Sequence, residues 1–397
     1  MDFKVSFWKK SFRLLMAITV ALCLSPSTAL ATDISTNTIN NTDITNAQQK
    51  FTAAGKTLTN NALINRKGNN TVFTNSKANI TIINNVGAVI STDKDGTKNN
   101  AIKATSSTST TITNSGTISS ENDNAIKIDF TNSGIITNNA GGLITANDVA
   151  IYAGSSTGLT ITNSGTISVA SPSNTAINLI NSTGATLTLK DEGIIVGKIS
   201  FNSTTNSKLQ LDHGFGRAYF YETSGDFTLE DLSGNKVVKG SAGSVGLGGQ
   251  ETVDELLGLR TYNLRSVLKR YASAPKPTDD MVWGETFGYS SKRGGTDTIL
   301  KYDTYGYGMN FIHPVTSKLD LILSVERNEL DFPEKHDVSR TGFIAGVNVS
   351  EFSGFGKGNW KAGGFAVAGM GWHNSKREIL TNTTSSGFWM LLLIITA

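Results

Sequence analysis

Short runs of alternating hydrophobic and polar residues recur through much of the chain. Between residues 98 and 200, isoleucine takes every second position in many runs, with Thr, Ser or Lys between. Ile112–Ser119 recurs unchanged as Ile161–Ser168, 49 residues later, and Ala-Ile pairs begin at positions 101, 125, 150 and 176, which are 24, 25 and 26 residues apart. A fixed period of this size is typical of a solenoid, and the alternation gives each rung one inward face.

We predict that each repeat forms one rung of a right-handed parallel β-helix. Three strand-like pieces follow one another, and Asn-Ser-Gly turns join two of them. We expect the Asn and Gly to supply the positive-φ conformations of a corner. About four clear rungs are predicted, with looser copies of the turn segment at Phe130–Thr137 and Ile83–Ile90. The alternative is a disordered Asn/Thr-rich stalk, which would not keep its apolar residues in register.

The pattern changes after residue 184. Residues 32–184 carry the repeats, whereas residues 185–239 contain more aromatic side chains and are predicted to cap the solenoid. Residues 240–251 are rich in glycine and are predicted to form a flexible linker.

Residues 252–271 then show helical spacing. Leu256, Leu264 and Tyr271 belong to the apolar set, while Thr252 and Glu255 have capping-box spacing. Pro275 and Pro277 prevent continuation. A helix of this length matches the thickness of a bilayer core, but it carries too many charges to face lipid.

From residue 281 to 397, alternation of period two returns. Five strand-like runs are predicted, at 281–291, 302–312, 319–328, 341–351 and 360–373. Each run has the length of a tilted transmembrane β-strand, with one apolar face and one face of polar residues or glycine. A soluble antiparallel sandwich is the alternative. The run 388–397 is apolar without alternating.

The first 31 residues have the pattern of a secretory signal: four bases, an apolar stretch and a small-x-small site that predicts cleavage between Ala31 and Thr32. The chain has 35 bases and 32 acids; this segment holds four of the bases and one acid, so the remainder is neutral. A neutral chain gives no electrostatic argument for nucleic acid as a partner. The only cysteine, Cys23, lies in the same segment.

Catalytic chemistry is not indicated. His213 follows Asp212, but neighbours on a strand point to opposite faces. We find no nucleophile elbow, metal-ligand spacing or phosphate-binding loop, and therefore predict no enzyme activity, no cofactor and no metal site.

The order of these segments resembles the monomeric autotransporters of Gram-negative bacteria, the type V secretion family. The resemblance rests on the export signal, the Asn-Ser-Gly repeats, the helix and the following Trp283-Gly-Glu285-Thr-Phe287 segment, and it covers nearly the whole chain. It implies an all-β chain in which a β-helical passenger precedes a linker helix that occupies the pore of a transmembrane β-barrel. Trp283, Glu285 and Phe287 would open the first barrel strand.

Two departures from the family affect this interpretation. The barrels of that family have more strands than the five predicted here, and they end in an amphipathic strand with a terminal aromatic residue, whereas this sequence ends in Ala397. We therefore expect an incomplete barrel and a truncated product that does not insert into a membrane alone, because an open sheet edge is not tolerated in lipid. Some relatives cleave the helix between paired asparagines, but Asn263 stands alone, so the passenger is expected to stay attached.

The function implied by the resemblance is export and display of the passenger at the cell surface, as an adhesin. The implied partners are the inner-membrane secretion channel, the outer membrane with its barrel-assembly machinery, and a ligand on a host or environmental surface. The implied location is the outer membrane, reached through the periplasm. A secreted, soluble, self-associating β-rich protein is the alternative, and a passenger with hydrolase activity is a third, disfavoured interpretation.

Overall fold

A computed structural model describes residues 31–396, except 95–96, 122, 192, 239–241, 246–247, 275–280, 297–299, 334–335, 353–361 and 383–387. Most of the predicted signal, and Pro275 and Pro277, lie outside the described residues.

The first two-thirds of the described chain form a parallel β-solenoid with three sheets. The first sheet contains Thr32–Ile34, Gln49–Phe51, Val72–Asn75, Ile102–Thr105, Ile126–Asp129, Ile151–Gly154, Thr175–Ile180, Lys198–Asn202 and Thr223–Gly225. The second contains Thr38–Asn40, Thr57–Asn60, Thr81–Asn84, Thr111–Asn114, Ile135–Asn138, Thr160–Asn163, Thr186–Lys190, Lys208–Asp212 and Thr228–Asp231. The third contains Ile44–Thr45, Leu63–Lys67, Val89–Asp93, Thr117–Ser120, Leu143–Ala146, Thr166–Val169 and Ile194–Val196.

The register between rungs follows the sequence repeat. The four Ala-Ile pairs align in the first sheet, where Ile126 pairs with Ile102 on one side and Ile151 on the other. These isoleucines have no exposed surface, and they belong to one continuous core that runs along the solenoid. The predicted parallel solenoid is confirmed.

The role predicted for the Asn-Ser-Gly corner is wrong in part. Gly87, in a looser copy, has φ +78°, as expected, but Gly116 and Gly165 do not have positive φ. Glycine is needed at Gly116 because a Cβ would lie 2.2 Å from the carbonyl oxygen of Ala88 in the preceding rung. The asparagine of the motif is not a turn residue either; Asn114 is the last residue of its strand and is fully buried.

These buried asparagines form a ladder along the second sheet. Each side-chain Nδ2 donates a hydrogen bond of 2.7 to 2.9 Å to Oδ1 of the next asparagine, through Asn40, Asn60, Asn84, Asn114, Asn138 and Asn163. Carbonyl groups of the adjoining turn accept further bonds, for example Gly116 from Asn114 at 3.1 Å. The buried amides are thus satisfied, which burial of a polar group requires.

The segment Phe130–Thr137 is not a copy of this corner. In the structure, Ile135 pairs with Thr111, and Asn138 is the residue that aligns with Asn114. The similar sequence in this segment therefore lies at a different corner of the rung, where Phe130 and Ser133 have positive φ.

Rung stacking continues beyond residue 184. Leu187 pairs with Leu209, which pairs with Leu229, so regular pairing reaches Asp231 in the second sheet. Aromatic side chains do concentrate here, as the stacked rings of Phe201 and Phe227 illustrate, with centroids 4.7 Å apart.

A small fourth sheet lies at this end of the solenoid. It contains Lys236–Val238, Ala242–Val245, Ala218–Tyr221 and Ile379–Thr381. Part of the predicted flexible linker 240–251 is therefore a strand, because Gly243 pairs with both Val238 and Phe220.

The chain then forms one helix, Gly248–Ser273, and an antiparallel sheet. The strands of this C-terminal sheet are Trp283–Arg293, Tyr302–Pro314, Leu319–Phe332, His336–Phe352, Ala362–Arg377 and Phe388–Thr396. The five predicted strands are present, and most are longer than predicted. The apolar run near residue 388 adds a sixth, antiparallel to Ala362–Arg377.

Candidate functional site

The helix packs on one face of the C-terminal sheet. Leu264, Val267, Leu268 and Tyr271 are buried there and contact Ile312, Ile322 and Ile344, with Trp283 at the margin. The spacing of these helical residues places them on one side of the helix. The prediction that Leu264 and Tyr271 belong to the apolar face is consistent with these contacts.

Beside this apolar contact lies a buried ionic cluster. Arg260, on the same side of the helix, donates from Nε to Oε1 of Glu326 at 2.7 Å, and Arg340 donates to the same oxygen at 3.1 Å. All three side chains are buried. Gly342 leaves room for this arrangement, since a Cβ there would lie 2.5 Å from Nη2 of Arg260. The buried ion pair between Arg260 and Glu326 therefore holds the helix on the sheet in addition to the apolar packing.

Two further polar contacts hold the C-terminal half of the helix. Tyr271 donates a hydrogen bond from its hydroxyl to Oδ1 of Asp320 at 3.0 Å, and Asn348 donates to Oδ2 of the same carboxylate at 2.8 Å. Arg270 forms an ion pair with Glu285. The covered face of the sheet thus carries buried polar groups beside two apolar clusters. One contains the three isoleucines, and the other lies further along the same face and contains Tyr302, Leu330, Phe332 and Val338.

The opposite face of the sheet is apolar and uncovered. On Leu319–Phe332, the residues Leu321, Leu323 and Val325 are each about 45% exposed, while their neighbours Ile322, Ser324 and Glu326 are buried. The same face includes Tyr305, Tyr307, Met309, Phe343, Val347, Met370 and Trp372. A water-soluble antiparallel sheet usually exposes a polar face, whereas the uncovered face here exposes many large apolar side chains.

The predicted first strand has the opposite distribution. Trp283, Glu285 and Phe287 point toward the side that carries the helix, and glycine, serine and threonine occupy most of the outward positions. Phe287 stacks on Tyr289 with parallel rings, and Trp283 meets Tyr271 edge to face at 5.7 Å. These three predicted residues therefore help to line the face that the helix covers.

The helix begins earlier than predicted. Its first residue is Gly248, so Thr252 lies one turn inside and not at the N-cap position that the capping box assumed. The side chains of Thr252, Glu255 and Leu256 are outside the described part. Thr32 begins the first strand of the solenoid, directly after Ala31.

Arg260, Glu326 and Arg340 were not predicted as functional residues. A signal for two of them was present, because Glu326 and Arg340 occupy positions on the polar side of alternating strands. Their common partner on the helix is 66 residues from Glu326 in sequence, and strand alternation does not identify it.

His213 lies apart from this site, among the aromatic residues at the end of the solenoid. Its Nδ1 donates to the carbonyl oxygen of Asp191, and its Nε2 accepts a hydrogen bond of 2.9 Å from the Tyr221 hydroxyl. Burial lowers the pKa of His213, although the Asp191 carbonyl opposes this, and burial raises the pKa of Tyr221. This is the hydrogen bonding of a neutral core histidine.

In the described part of the chain, no group of three or more metal-ligating side chains is placed to hold an ion. Over the same residues, no helix is long and apolar enough to cross a membrane. Comparison with protein-family models, curated proteins and solved structures found no match to this chain.

Proposed function

We propose that this protein is an autotransporter-type surface protein. In this proposal the C-terminal sheet lies in the outer membrane of a Gram-negative cell, the helix follows its polar inner face, and the solenoid is displayed outside as an adhesin. The cell's inner-membrane secretion channel and outer-membrane assembly machinery would be its partners during export.

One observation carries the proposal: the helix covers the face of the sheet that bears the buried ionic cluster, and the opposite face exposes large apolar side chains without a cover. Burying apolar side chains is favourable by about 25 cal/mol per Å², so an apolar face of this size needs a cover. Hydrocarbon provides one along the whole face, and the strands have the length that a tilted membrane-spanning strand needs. The polar face under the helix corresponds to the lumen of such a structure.

The main alternative is a secreted protein whose apolar sheet face is covered by a second copy. Both proposals explain the bare apolar face. They differ in what covers this face, which is lipid in the first proposal and a second copy of the protein in the alternative.

The proposal is tested by expressing the full chain in a Gram-negative host. In contrast to the expectation from the number of strands, this proposal requires insertion, so we expect the protein to stay in the outer-membrane fraction after alkaline carbonate extraction. We also expect added protease to cleave residues 32–240 on intact cells. Recovery of the protein as a soluble oligomer in the medium or periplasm would overturn the proposal.

A pair of matched variants identifies the environment of the apolar face. Leu323 lies on this face and is 45% exposed, and Val315 lies in a turn and is 48% exposed. In lipid, Leu323→Arg costs about 2 to 4 kcal/mol near the bilayer midplane, whereas Val315→Arg costs little. We expect only Leu323→Arg to reduce the membrane-inserted fraction. Equal effects of the two variants would count against a lipid-facing sheet.

A further inference from the structure

A cleft of about 600 Å³ opens on the outer surface of the solenoid. It lies where the third sheet connects to the first, over four successive rungs. Its lining includes Lys98, Asp123, Asn124, Lys127, Asp148, Tyr152, Asn174 and Asn178. None of these residues contributes to the core or to the contact between helix and sheet.

The lengths of the connecting segments explain the shape of the cleft. Eight residues join Asp93 to Ile102 and five join Val169 to Thr175. Between these two segments, five residues join Ser120 to Ile126 and only four join Ala146 to Ile151. Lys98, on the longest segment, and Asn174 stand on the outer rungs, with Asp148 on the shortest segment between them. The shorter connecting segments between Lys98 and Asn174 thus leave a depression on the surface.

Tyr152 lies in the cleft, with one edge of its ring beside Gly154. Gly154 is two residues further on the same face, and a Cβ there would lie 3.0 Å from Cε1 of Tyr152. The ring covers Gly154, which is buried although it faces outward. Lys127, on the adjacent strand, holds its ammonium 4.9 Å from the ring centroid and 3.5 Å from the Asp129 carboxylate.

The charges around the ring are balanced. The described lining contains two lysines and two aspartates, together with three asparagine amides. Asn124 is buried, and its Nδ2 donates to Oδ1 of Asn100 at 2.9 Å. Burial raises the pKa of Asp123, while Lys127 and Lys98 oppose this. A balanced lining does not favour a polyanion or a polycation.

We propose that this cleft binds a neutral oligosaccharide, in which a sugar ring stacks on the face of the Tyr152 ring opposite the Lys127 ammonium. A sugar ring combines an apolar face with a rim of hydroxyl groups. The tyrosine ring matches the apolar face, and the amides and carboxylates of the lining match the hydroxyls. Binding sites for small ligands have this combination of concavity, an aromatic surface and a few convergent polar groups. This inference names a ligand class for the proposed adhesin and rests on that proposal for its biological meaning.

The test uses the full chain purified in detergent and three probes: chitohexaose, mannohexaose and a heparin hexasaccharide. Binding is measured by saturation-transfer NMR and isothermal titration. We expect at least one neutral probe to bind and heparin not to bind. Tyr152→Ala should weaken binding about tenfold, the effect of losing a central aromatic contact, and Tyr152→Phe should retain it.

Phe73 provides the matched control. It occupies the same outward column of the first sheet, because it pairs with Lys103, which pairs with Lys127 and then Tyr152. Phe73 does not line the cleft, so Phe73→Ala should leave binding unchanged. Absence of binding by both neutral probes, binding of heparin alone, or equal losses in Phe73→Ala and Tyr152→Ala would overturn the inference.

These outcomes are separable from the proposed function. Protease accessibility on intact cells reports display whether or not a sugar binds. Purified protein reports sugar binding whether or not the chain is displayed.

Discussion

At the scale of single residues, the solenoid depends on side chains whose role becomes visible only when rungs are stacked. The inward isoleucines were predictable, because alternation identifies them within one strand. The ladder asparagines were not, since a buried amide is satisfied only by its neighbours in adjacent rungs. From one rung alone, Asn114 has the signature of a turn residue.

Asn114→Ala tests this role. The change removes the donor to Asn138 and leaves the Nδ2 of Asn84 without its Asn114 acceptor. Leaving buried partners unsatisfied costs about 1 to 3 kcal/mol for each group. We expect amide hydrogen exchange to accelerate in the strands on both sides, Thr81–Asn84 and Ile135–Asn138.

The control for this variant is Thr113→Ala, one residue earlier and on the outward face. It should change exchange rates little, because surface substitutions usually alter stability by less than about 0.5 kcal/mol. If both variants accelerate exchange to the same extent, the ladder is not the source of the stability.

At the scale of elements, the helix was predictable in its presence and its end, and less so in its start and its contacts. Apolar spacing identified Leu264 and Tyr271. The sequence does not identify Arg260 as a buried residue, because an arginine in a helix normally faces solvent. It is buried here since Glu326 and Gly342 provide a partner and a space for it.

Glu326→Gln should loosen the helix on the sheet. The change leaves the guanidinium groups of Arg260 and Arg340 buried without their shared carboxylate. Breaking a buried ion pair on one side costs about 3 to 5 kcal/mol. We expect faster amide exchange in the helix from residue 258 to 273.

Tyr262→Ala is the matched comparison, since Tyr262 is exposed on the other side of the helix. It should leave the exchange rates near those of the unaltered chain. Unchanged rates in Glu326→Gln would show that apolar contacts alone hold the helix.

At the scale of the whole molecule, the order of solenoid, helix and antiparallel sheet was predictable from changes in periodicity. The contact between the last rungs and the segment that connects the last two strands of the C-terminal sheet was not. Ile379–Thr381 pairs in parallel with Ala218–Phe220, and Asn382 exchanges two hydrogen bonds of 3.0 Å with the backbone of Glu222, 160 residues away. The local alternation of apolar and polar residues does not indicate which strands pair when they are so far apart in the sequence.

If the rungs nearest the sheet fold first and template the others, damage there should delay display more than the same damage far away. Leu209 and Ile82 form a matched pair, because they occupy the same column of the second sheet and both are fully buried. We expect Leu209→Asp to slow the appearance of the solenoid at the surface of intact cells, measured by pulse labelling and protease accessibility. Ile82→Asp should delay it less.

Ile82 is the appropriate comparison because its neighbour Ile83 is only partly buried on the outward face. Equal delays for the two variants would contradict folding from the C-terminal end of the solenoid.

Because every rung pairs with its neighbours in the same register, the length of the solenoid can change without disturbing the pairing of the other rungs. Each rung contacts only the rungs beside it, and adjacent strands are about 4.8 Å apart. Removing the residues from Thr111 to Gly134 would bring Thr81 against Ile135, because both pair with Thr111. Asn84 would then meet Asn138, and the ladder would close again. The length of the solenoid can therefore change by one rung at a time. The last rungs of the solenoid, the helix and the C-terminal sheet would be unaffected by such a change.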